Sequence, residues 1–462
     1  MTKPICFKNE EKEINKDNIW EGDLFSRNKV AEDFTKIITS IEQPFVLSIN
    51  SNYGSGKTFF LKRWAEELKQ NGETVIFFNA WDCDFVEKPL LPFLYNFIEQ
   101  LKEQGLVQYD LKEDLINCKD VFCTAVKGII GNYSGINIDD LNEHKNADTL
   151  KIPKIKTLEE YKELKKVLFD FKIGLEEIIS KLQDKNIYIF VDELERCRPI
   201  FAIELLEAIK HLFNVKGLVF ILGTDRSQLK HTISNIYGCG MDGEGYLRRF
   251  IDLDLELPEP NIKKFTEYLQ NNFEINNNEV GAKGNWKIGY DEFNKYFVLF
   301  ANLYPMHLRD IEHVYAKFNV ITKMIDERTN KIMPILALLL ISKVKDKTLY
   351  DQFNLENLSY EKIDNFLNTK IFDKLNNYKN IDKERLFSNF SYICRIFTRN
   401  NYRQILETLY EKYSEPSKVP ENVKKEMQLY ERVARYQENY DCREDEDSIE
   451  YLKKMISYIN IE

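Results

Sequence analysis

The sequence predicts a three-layer α/β/α domain with a central parallel sheet, followed by an all-α C-terminal region. Three observations carry this. Short apolar runs alternate with helix-period segments between residues 45 and 258, the pattern of parallel strands joined by crossover helices. Several of these runs end in glycine or carboxylate residues, which puts polar chemistry at the strand ends, where open α/β sheets bind ligands. After Leu257-Pro258-Glu259-Pro260 the strand signals nearly vanish, and residues 261–462 read as helices joined by polar turns without a fixed-period repeat.

Taken in order, residues 1–44 are a lead-in, polar at first and helical from Asn28 to Ile41. Phe45 to Ile49 is an apolar run of the length of a buried strand, and Phe59 to Lys69 has helical spacing. A turn at Asn71-Gly72 introduces a second strand, Glu73 to Asn79, and Leu90 to Leu106 is again helical. The pattern breaks into polar and Gly/Asn-rich pieces over 107–153, which marks an insertion between core elements. A long amphipathic helix is expected from Leu158 to Leu182, with Leu164, Leu168, Phe171 and Leu175 on one face. Strands follow at Asn186 to Val191, Gly217 to Leu222 and Ile251 to Leu255, with helices at Pro199 to Phe213 and Ser227 to Tyr237. The expected organisation is therefore a lead-in over 1–44, an α/β core over 45–258 and a helical domain over 259–330. A C-terminal helical domain completes it over 331–462.

Composition narrows the function classes. The chain of 462 residues is 43% hydrophobic and 30% charged, with a net charge of −10. That balance suits a globular protein and opposes bulk electrostatic attraction to nucleic acid or anionic lipid. The eight cysteines are scattered without Cys-x-x-Cys pairs or Cys/His ligand spacing, so reduced thiols in the cytoplasm are expected. His144, His211, His231, His307 and His313 likewise lack ligand spacing. Met1 to Asn18 is polar and charged, unlike a signal peptide, and the longest apolar run, Ile332 to Ile341, is about half of what a bilayer requires. We read that run as a buried helix and expect no membrane span. Arg395, Arg399 and Arg403 recur at helical spacing and read as a solvated face in an acidic chain. So does the acidic run Asp441 to Asp447.

Chemistry concentrates at two strand ends. After the first strand comes Ser51-Asn52-Tyr53-Gly54-Ser55-Gly56-Lys57-Thr58-Phe59. The glycines let backbone N–H groups turn inward around phosphate oxygens. Lys57 then supplies a point charge for the β/γ-phosphates and Thr58 a hydroxyl ligand for Mg²⁺. The helix that follows aims its N-terminus at the same anion. Ser51 stands where the full Gly-x-x-x-x-Gly-Lys-[Ser/Thr] pattern has its first glycine. The second end is Ile187-Tyr-Ile-Phe-Val-Asp192-Glu193. Here Asp192 would organise the metal shell, and Glu193, one residue on, would orient or activate water. Thr224 and Asp225 close the following strand at the same sheet edge, as phosphate-sensing groups, as helix caps, or as both. Arg196, Arg226, Arg248, Arg249 and Arg309 are candidate partners for the charge that hydrolysis builds; each alone reads as a solvated charge or a local ion pair.

These blocks together resemble the KAP family of P-loop NTPases, a bacterial and animal group related to the STAND and AAA-like ATPases. The loop Asn52-Tyr53-Gly54-Ser55-Gly56-Lys57-Thr58 is similar to the family's Gly-x-Trp-Gly-x-Gly-Lys-[Ser/Thr], with Tyr for Trp. Phe78-Asn79-Ala80-Trp81 resembles its Phe-Asn-Ala-Trp, where we expect Trp81 to pack beneath the site rather than line it. Val191-Asp192-Glu193-Leu194-Glu195-Arg196-Cys197-Arg198-Pro199 resembles its Asp-Asp-Leu-Asp-Arg-Cys-x-Pro segment, with Glu replacing Asp twice. Gly22-Asp23, Arg27, Ala31, Tyr246 to Arg249 and Leu257-Pro258 also resemble family blocks. A weaker likeness, Tyr304 to Ile311, implies that Arg309 is a sensor-type arginine in a lid domain over 259–330. The likeness covers about residues 19–319. It implies an ASCE/AAA-like P-loop NTPase fold, with ATP and Mg²⁺ as cofactors. Family members often carry transmembrane helices where 107–153 stands here; Val121 to Ile136 is too short and polar to span.

Bacterial relatives that exclude phages imply a role in antiphage defence. The resemblance favours an ATP-hydrolysing switch or motor, acting as a homo-oligomer or with proteins encoded nearby. The residues leave open two other readings: a non-hydrolysing ATP-binding scaffold, for which Ser51 and the large helical region speak, and a nucleic-acid-stimulated ATPase.

Overall fold

The computed structural model describes residues 13–107, 158–182, 185–238, 240–273, 288–304, 306–322 and 333–352, with a few isolated positions beyond them. The insertion after Val107, the arginines at 395–403 and the acidic run at 441–447 lie outside the described residues, as do His144 and Pro305. The chain divides into two compact units, Lys12–Glu259 and Met1–Glu11 with Pro260–Glu462.

In the first unit five parallel strands form one sheet: β1 (Phe45–Asn50), β2 (Thr74–Asn79), β3 (Ile187–Asp192), β4 (Leu218–Thr224) and β5 (Leu253–Glu256). Their spatial order is β2-β3-β4-β1-β5, so one strand separates the lysine-bearing loop from the acidic strand end. Every residue of β3 and β4 is buried, because helices cover both faces and a parallel sheet so enclosed is apolar throughout. Side-chain alternation splits the core in two. Leu47, Ile49, Tyr188, Phe190, Val219 and Ile221 face one layer, with Phe60, Leu61 and Trp64 of α2 (Lys57–Gln70) and Ala31 and Ile38 of α1 (Arg27–Thr39). The Trp64 ring meets Phe190 edge-on at 5.3 Å, and its indole N–H donates to Thr35 Oγ1 at 2.8 Å. Ile76, Phe78, Ile187, Ile189, Val191, Phe220 and Leu222 face the other layer. That layer holds α3 (Leu90–Glu103), α4 (Leu158–Ser180) and α5 (Pro199–Leu212).

The strands and helices expected from periodicity are present with their ends shifted by a few residues. On α4, Phe171 and Leu175 are buried and Leu168 is half-buried. The strand expected from Ile251 begins instead at Leu253, after Asp252 has exchanged hydrogen bonds with Val46: Val46 N donates to its carboxylate and Asp252 N to the Val46 carbonyl, each at 2.9 Å. One expectation fails. Trp81 does not pack beneath the sheet: it opens a 3₁₀ turn, Trp81–Cys83, and is 47% exposed, while Ala80 takes the buried place. The alternation of the strand ends with Asn79, so the turn aims the indole outward. After β4 come α6 (Arg226–Tyr237) and the short α7 (Gly243–Leu247). Arg226 ties them to β5 through ion pairs with Glu244 and Asp254.

The second unit is helical where it is described: α8 (Ile262–Asn272), α9 (Ile288–Leu303), α10 (Leu308–Thr322), α11 (Met333–Lys345) and α12 (Lys347–Gln352). Aromatic residues four apart on α9, Phe293 and Phe297, meet Tyr315 of α10 edge-on, the closer pair at 5.0 Å. Leu336 to Ile341 are all buried on α11, as expected of the apolar run there. Among the described residues no helix is long and apolar enough to cross a membrane.

Candidate nucleotide site

Parallel pairing brings four polar termini to one edge of the sheet. Asn50 registers with Thr224, and Asn79 with Asp192. Ser51 N donates to the Thr224 carbonyl at 3.0 Å, which fixes where the loop leaves β1. Gly54 and Gly56 then adopt φ of 74° and 90°, a region that side chains with Cβ avoid. The two glycines of the motif that remain are thus the ones whose backbone needs them. Ser51 does not have positive φ, so its Cβ is tolerated, and its hydroxyl is taken up by Ser55 Oγ. A turn bond from Ser55 N to the Asn52 carbonyl closes the loop, and Tyr53 N donates to Asp225 Oδ2 at 3.0 Å. Asp225 uses its other oxygen to cap α6, accepting from Ser227 N and Gln228 N.

Lys57 begins α2 and is buried. Its Nζ donates to the Ser51 carbonyl at 3.0 Å and to Glu195 Oε1 at 2.7 Å. Thr58, next to it, donates its hydroxyl to the Asp192 carboxylate. Phe59 carries the Arg63 guanidinium over its ring at 3.5 Å. Gly223, the penultimate residue of β4, keeps this arrangement tight. A Cβ there would lie 2.3 Å from Leu61 Cδ1 and 2.8 Å from Asp192 Oδ1.

Asp192 is almost wholly buried. Burial pushes its carboxyl up to about 6, and the charges of Glu195 and Glu193 add to that, against the opposing bonds from Thr58 and Glu193 N. Its Oδ2 has no hydrogen-bond partner among the described residues, nor has Glu195 Oε2. A buried, unpartnered carboxylate oxygen beside a threonine hydroxyl fits a hard divalent cation such as Mg²⁺, which takes oxygen ligands and binds through one or two carboxylates. Thr58 and Asp192 are thus groups of the kind that could hold such an ion.

Glu193 leaves β3 in the left-handed region, φ 61°, at a cost of about 1 kcal/mol for a residue with a Cβ. That kink starts the 3₁₀ turn Leu194–Arg196. Glu193 Oε1 pairs with Arg196 at 2.9 Å, and the Arg196 guanidinium sits 4.8 Å from the Tyr53 ring centroid. Buried Leu194 anchors the turn, which sends Glu195 back toward Lys57.

The structure thus gathers Ser51, Ser55, Lys57, Thr58 and Asp192 into one linked group, with Glu193 joined to Tyr53 through Arg196. Thr224 is buried at the same edge, but its hydroxyl is bonded to Ser48 Oγ at 2.8 Å. Arg309 lies on the first turn of α10, in the other unit, with an exposed side chain. Arg248 makes a long pair with Glu244 at 3.8 Å, and Arg249 lies over the Tyr246 ring. Two contributors carry no role in the sequence reading, Glu195 and Gly223. The buried Leu194 inside a charged run is the signal that a tight turn would bring Glu195 inward.

Several solved structures are similar to this chain at low identity. The Aeropyrum pernix ORC2 protein in its ADP form is 12% identical, with 94% of this chain and 96% of that chain covered and a TM-score of 0.32. Drosophila ORC bound to DNA gives 17%, 80%, 81% and 0.34 for the same quantities, and AMPPCP-bound DnaA from Aquifex aeolicus 12%, 99%, 99% and 0.28. Scores this low carry no argument, and the fold rests on the sheet order and register. No curated protein matches the chain. The KAP family P-loop domain matches residues 27–335, well over half of the chain, and the protein belongs to that family.

Proposed function

We propose that the protein binds ATP with Mg²⁺ at Ser51–Thr58 and hydrolyses it as a nucleotide-driven switch or motor. The observation that carries this is the convergence, at one edge of the sheet, of the buried Lys57 ammonium, the Thr58 hydroxyl and an Asp192 carboxylate with one oxygen unpartnered among the described residues. In this reading N–H groups from Asn52 through Phe59, other than those of Tyr53 and Ser55, which Asp225 and the Asn52 carbonyl take up, cradle phosphate oxygens, and Lys57 neutralises the β/γ-phosphates. Thr58 and Asp192 would hold Mg²⁺, which when bound neutralises charge across the phosphates. Glu193, released from Arg196 or steered by it, orients the attacking water and accepts its proton. Thr224, fixed to Ser48, transmits the state of the strand end to the loop through its carbonyl. Arg309 keeps the role that the family likeness implies for it, a sensor-type arginine of the helical lid over 259–330.

The cellular reading follows from family membership and is ours: a cytoplasmic ATPase in a bacterial multi-protein complex that excludes phages. It would work as a homo-oligomer or with partners encoded nearby, with the effector on a separate chain. The test is phosphate release from ATP with Mg²⁺ and with EDTA in its place. Release that EDTA abolishes supports the reading. Tight ATP binding without release, alone or with partner proteins, would replace it by a scaffold. Release that rises only when DNA or RNA is added would replace it by a nucleic-acid-stimulated ATPase.

A further inference from the structure

Lys57 does not stand open to phosphate: it is ion-paired with Glu195. Both side chains are nearly inaccessible, 8% and 5% exposed, and Nζ to Oε1 is 2.7 Å. The ammonium already has two acceptors, Glu195 and the Ser51 carbonyl. Glu195, by contrast, is half-used: Oε2 is buried without a hydrogen-bond partner among the described residues. A carboxylate held this way pays a desolvation cost that a single ion pair recovers only in part. Its position is built rather than accidental, because the left-handed Glu193 and the buried Leu194 turn the chain inward to deliver it.

We propose that Glu195 is a positioning residue of the phosphate site, the exchangeable counter-ion of Lys57. It holds Nζ at the loop while no nucleotide is bound and gives the ammonium up to phosphate on binding. The proposal rests on the ATP-binding reading above. No bond is made or broken covalently; one anion replaces another at Nζ. Nucleotide affinity is therefore set low by design, since phosphate must displace a buried carboxylate and then lies near its negative charge. Removing that charge leaves Lys57 with neutral acceptors alone, the Ser51 carbonyl among them, and phosphate becomes the better partner.

The test is equilibrium binding of ATP and ADP to the full chain, with Mg²⁺ and in EDTA, for wild type, Glu195→Gln, Glu195→Asp and Lys57→Ala. Glu195→Gln is expected to bind about tenfold tighter than wild type in EDTA, the size of one charge-assisted contact. Glu195→Asp, too short to hold the pair at the same distance, falls between the two. Damage to the fold would weaken binding, so a gain in affinity separates exchange from a merely structural role. Wild type that binds no nucleotide while Glu195→Gln binds it also supports the proposal. Wild type that binds, with Lys57→Ala that does not and Glu195→Gln equal to or weaker than wild type, overturns the exchange and leaves the ATP site standing. If Glu195→Gln fails to fold, Glu195→Asp decides alone, and affinity at or below wild type overturns it. Equal binding by wild type and Lys57→Ala, or no binding by any folded variant, overturns both.

Discussion

Two ion pairs stand one residue apart at the end of β3, and they differ in almost everything that matters. Lys57–Glu195 is sealed from solvent on both sides. Arg196–Glu193 is half-open, 26% and 13% exposed, and lies over an aromatic ring that is itself exposed. A sealed pair is held by Coulomb attraction against its desolvation cost, and removing either partner leaves a buried charge uncompensated. A half-open pair is worth about 1 kcal/mol or less and can exchange partners with water. The difference teaches a division of labour. On the function proposed above, the sealed side, with Asp192, would govern whether anion and metal are bound, while the half-open side would carry Glu193, the group proposed to meet water.

Breaking the half-open side should give the largest kinetic effect. Glu193→Gln is expected to lower ATP turnover by about 10²–10⁴-fold, the usual contribution of a positioned general base. Its ATP affinity should stay within about threefold of wild type, because no charge-assisted phosphate contact is lost. A stopped assay of phosphate release beside a binding titration checks both. An unchanged rate would remove the base assignment.

Asp192→Asn should act on the sealed side with two opposite signs. It should lose about tenfold of the Mg²⁺-dependent gain in nucleotide affinity, by removing one charged ligand. It should also stabilise the protein when no nucleotide is present. The carboxyl of Asp192 sits at about 6 in the fold against 3.8 for an ordinary aspartate, so its ionised form costs stability at neutral pH. The cost is on the order of 2–3 kcal/mol, and it fades as pH falls through 6 toward 3.8. Thermal melts at pH 7.5 should place the variant about 5 °C above wild type, with the gap narrowing below pH 6 and closing toward pH 4. A lower melting temperature at pH 7.5 would show that the Thr58 bond outweighs burial.

Arg196→Ala should have a smaller effect, about a tenfold fall in turnover through a less well oriented Glu193. Stability should change by no more than about 1 kcal/mol, which a denaturant titration can resolve. Ser51→Gly should matter least. Because Ser51 does not have positive φ, restoring glycine relieves no strain. ATP affinity should stay within about twofold, and stability should drop by about 1 kcal/mol from added chain freedom and the lost Ser55 contact. A large gain in affinity or turnover would make Ser51 a true defect of the loop.

Much of this arrangement is legible in the residues. Apolar runs such as Phe45 to Ile49 and Ile187 to Val191 announce buried strands, and their polar endings announce the site edge. Gly54 and Gly56 announce the loop, since few other residues take positive φ there. What periodicity does not carry is the direction of a side chain leaving a strand. Trp81 follows an apolar strand yet turns outward, and Glu195 lies in a charged run yet turns inward, each because of a short 3₁₀ turn. Links between distant positions are equally hidden: Asp225 on Tyr53 N, and Arg226 on Glu244 and Asp254. Such pairs depend on which strands become neighbours, and the order β2-β3-β4-β1-β5 is not written in any local segment.

The most direct measurement is a calorimetric titration of MgATP into the wild-type chain and into Lys57→Ala. The account predicts saturable one-site binding by wild type and a loss of about a hundredfold or more in the variant, which gives up the phosphate charge contact and leaves Glu195 facing the anion. Equal affinities in the two proteins would contradict it.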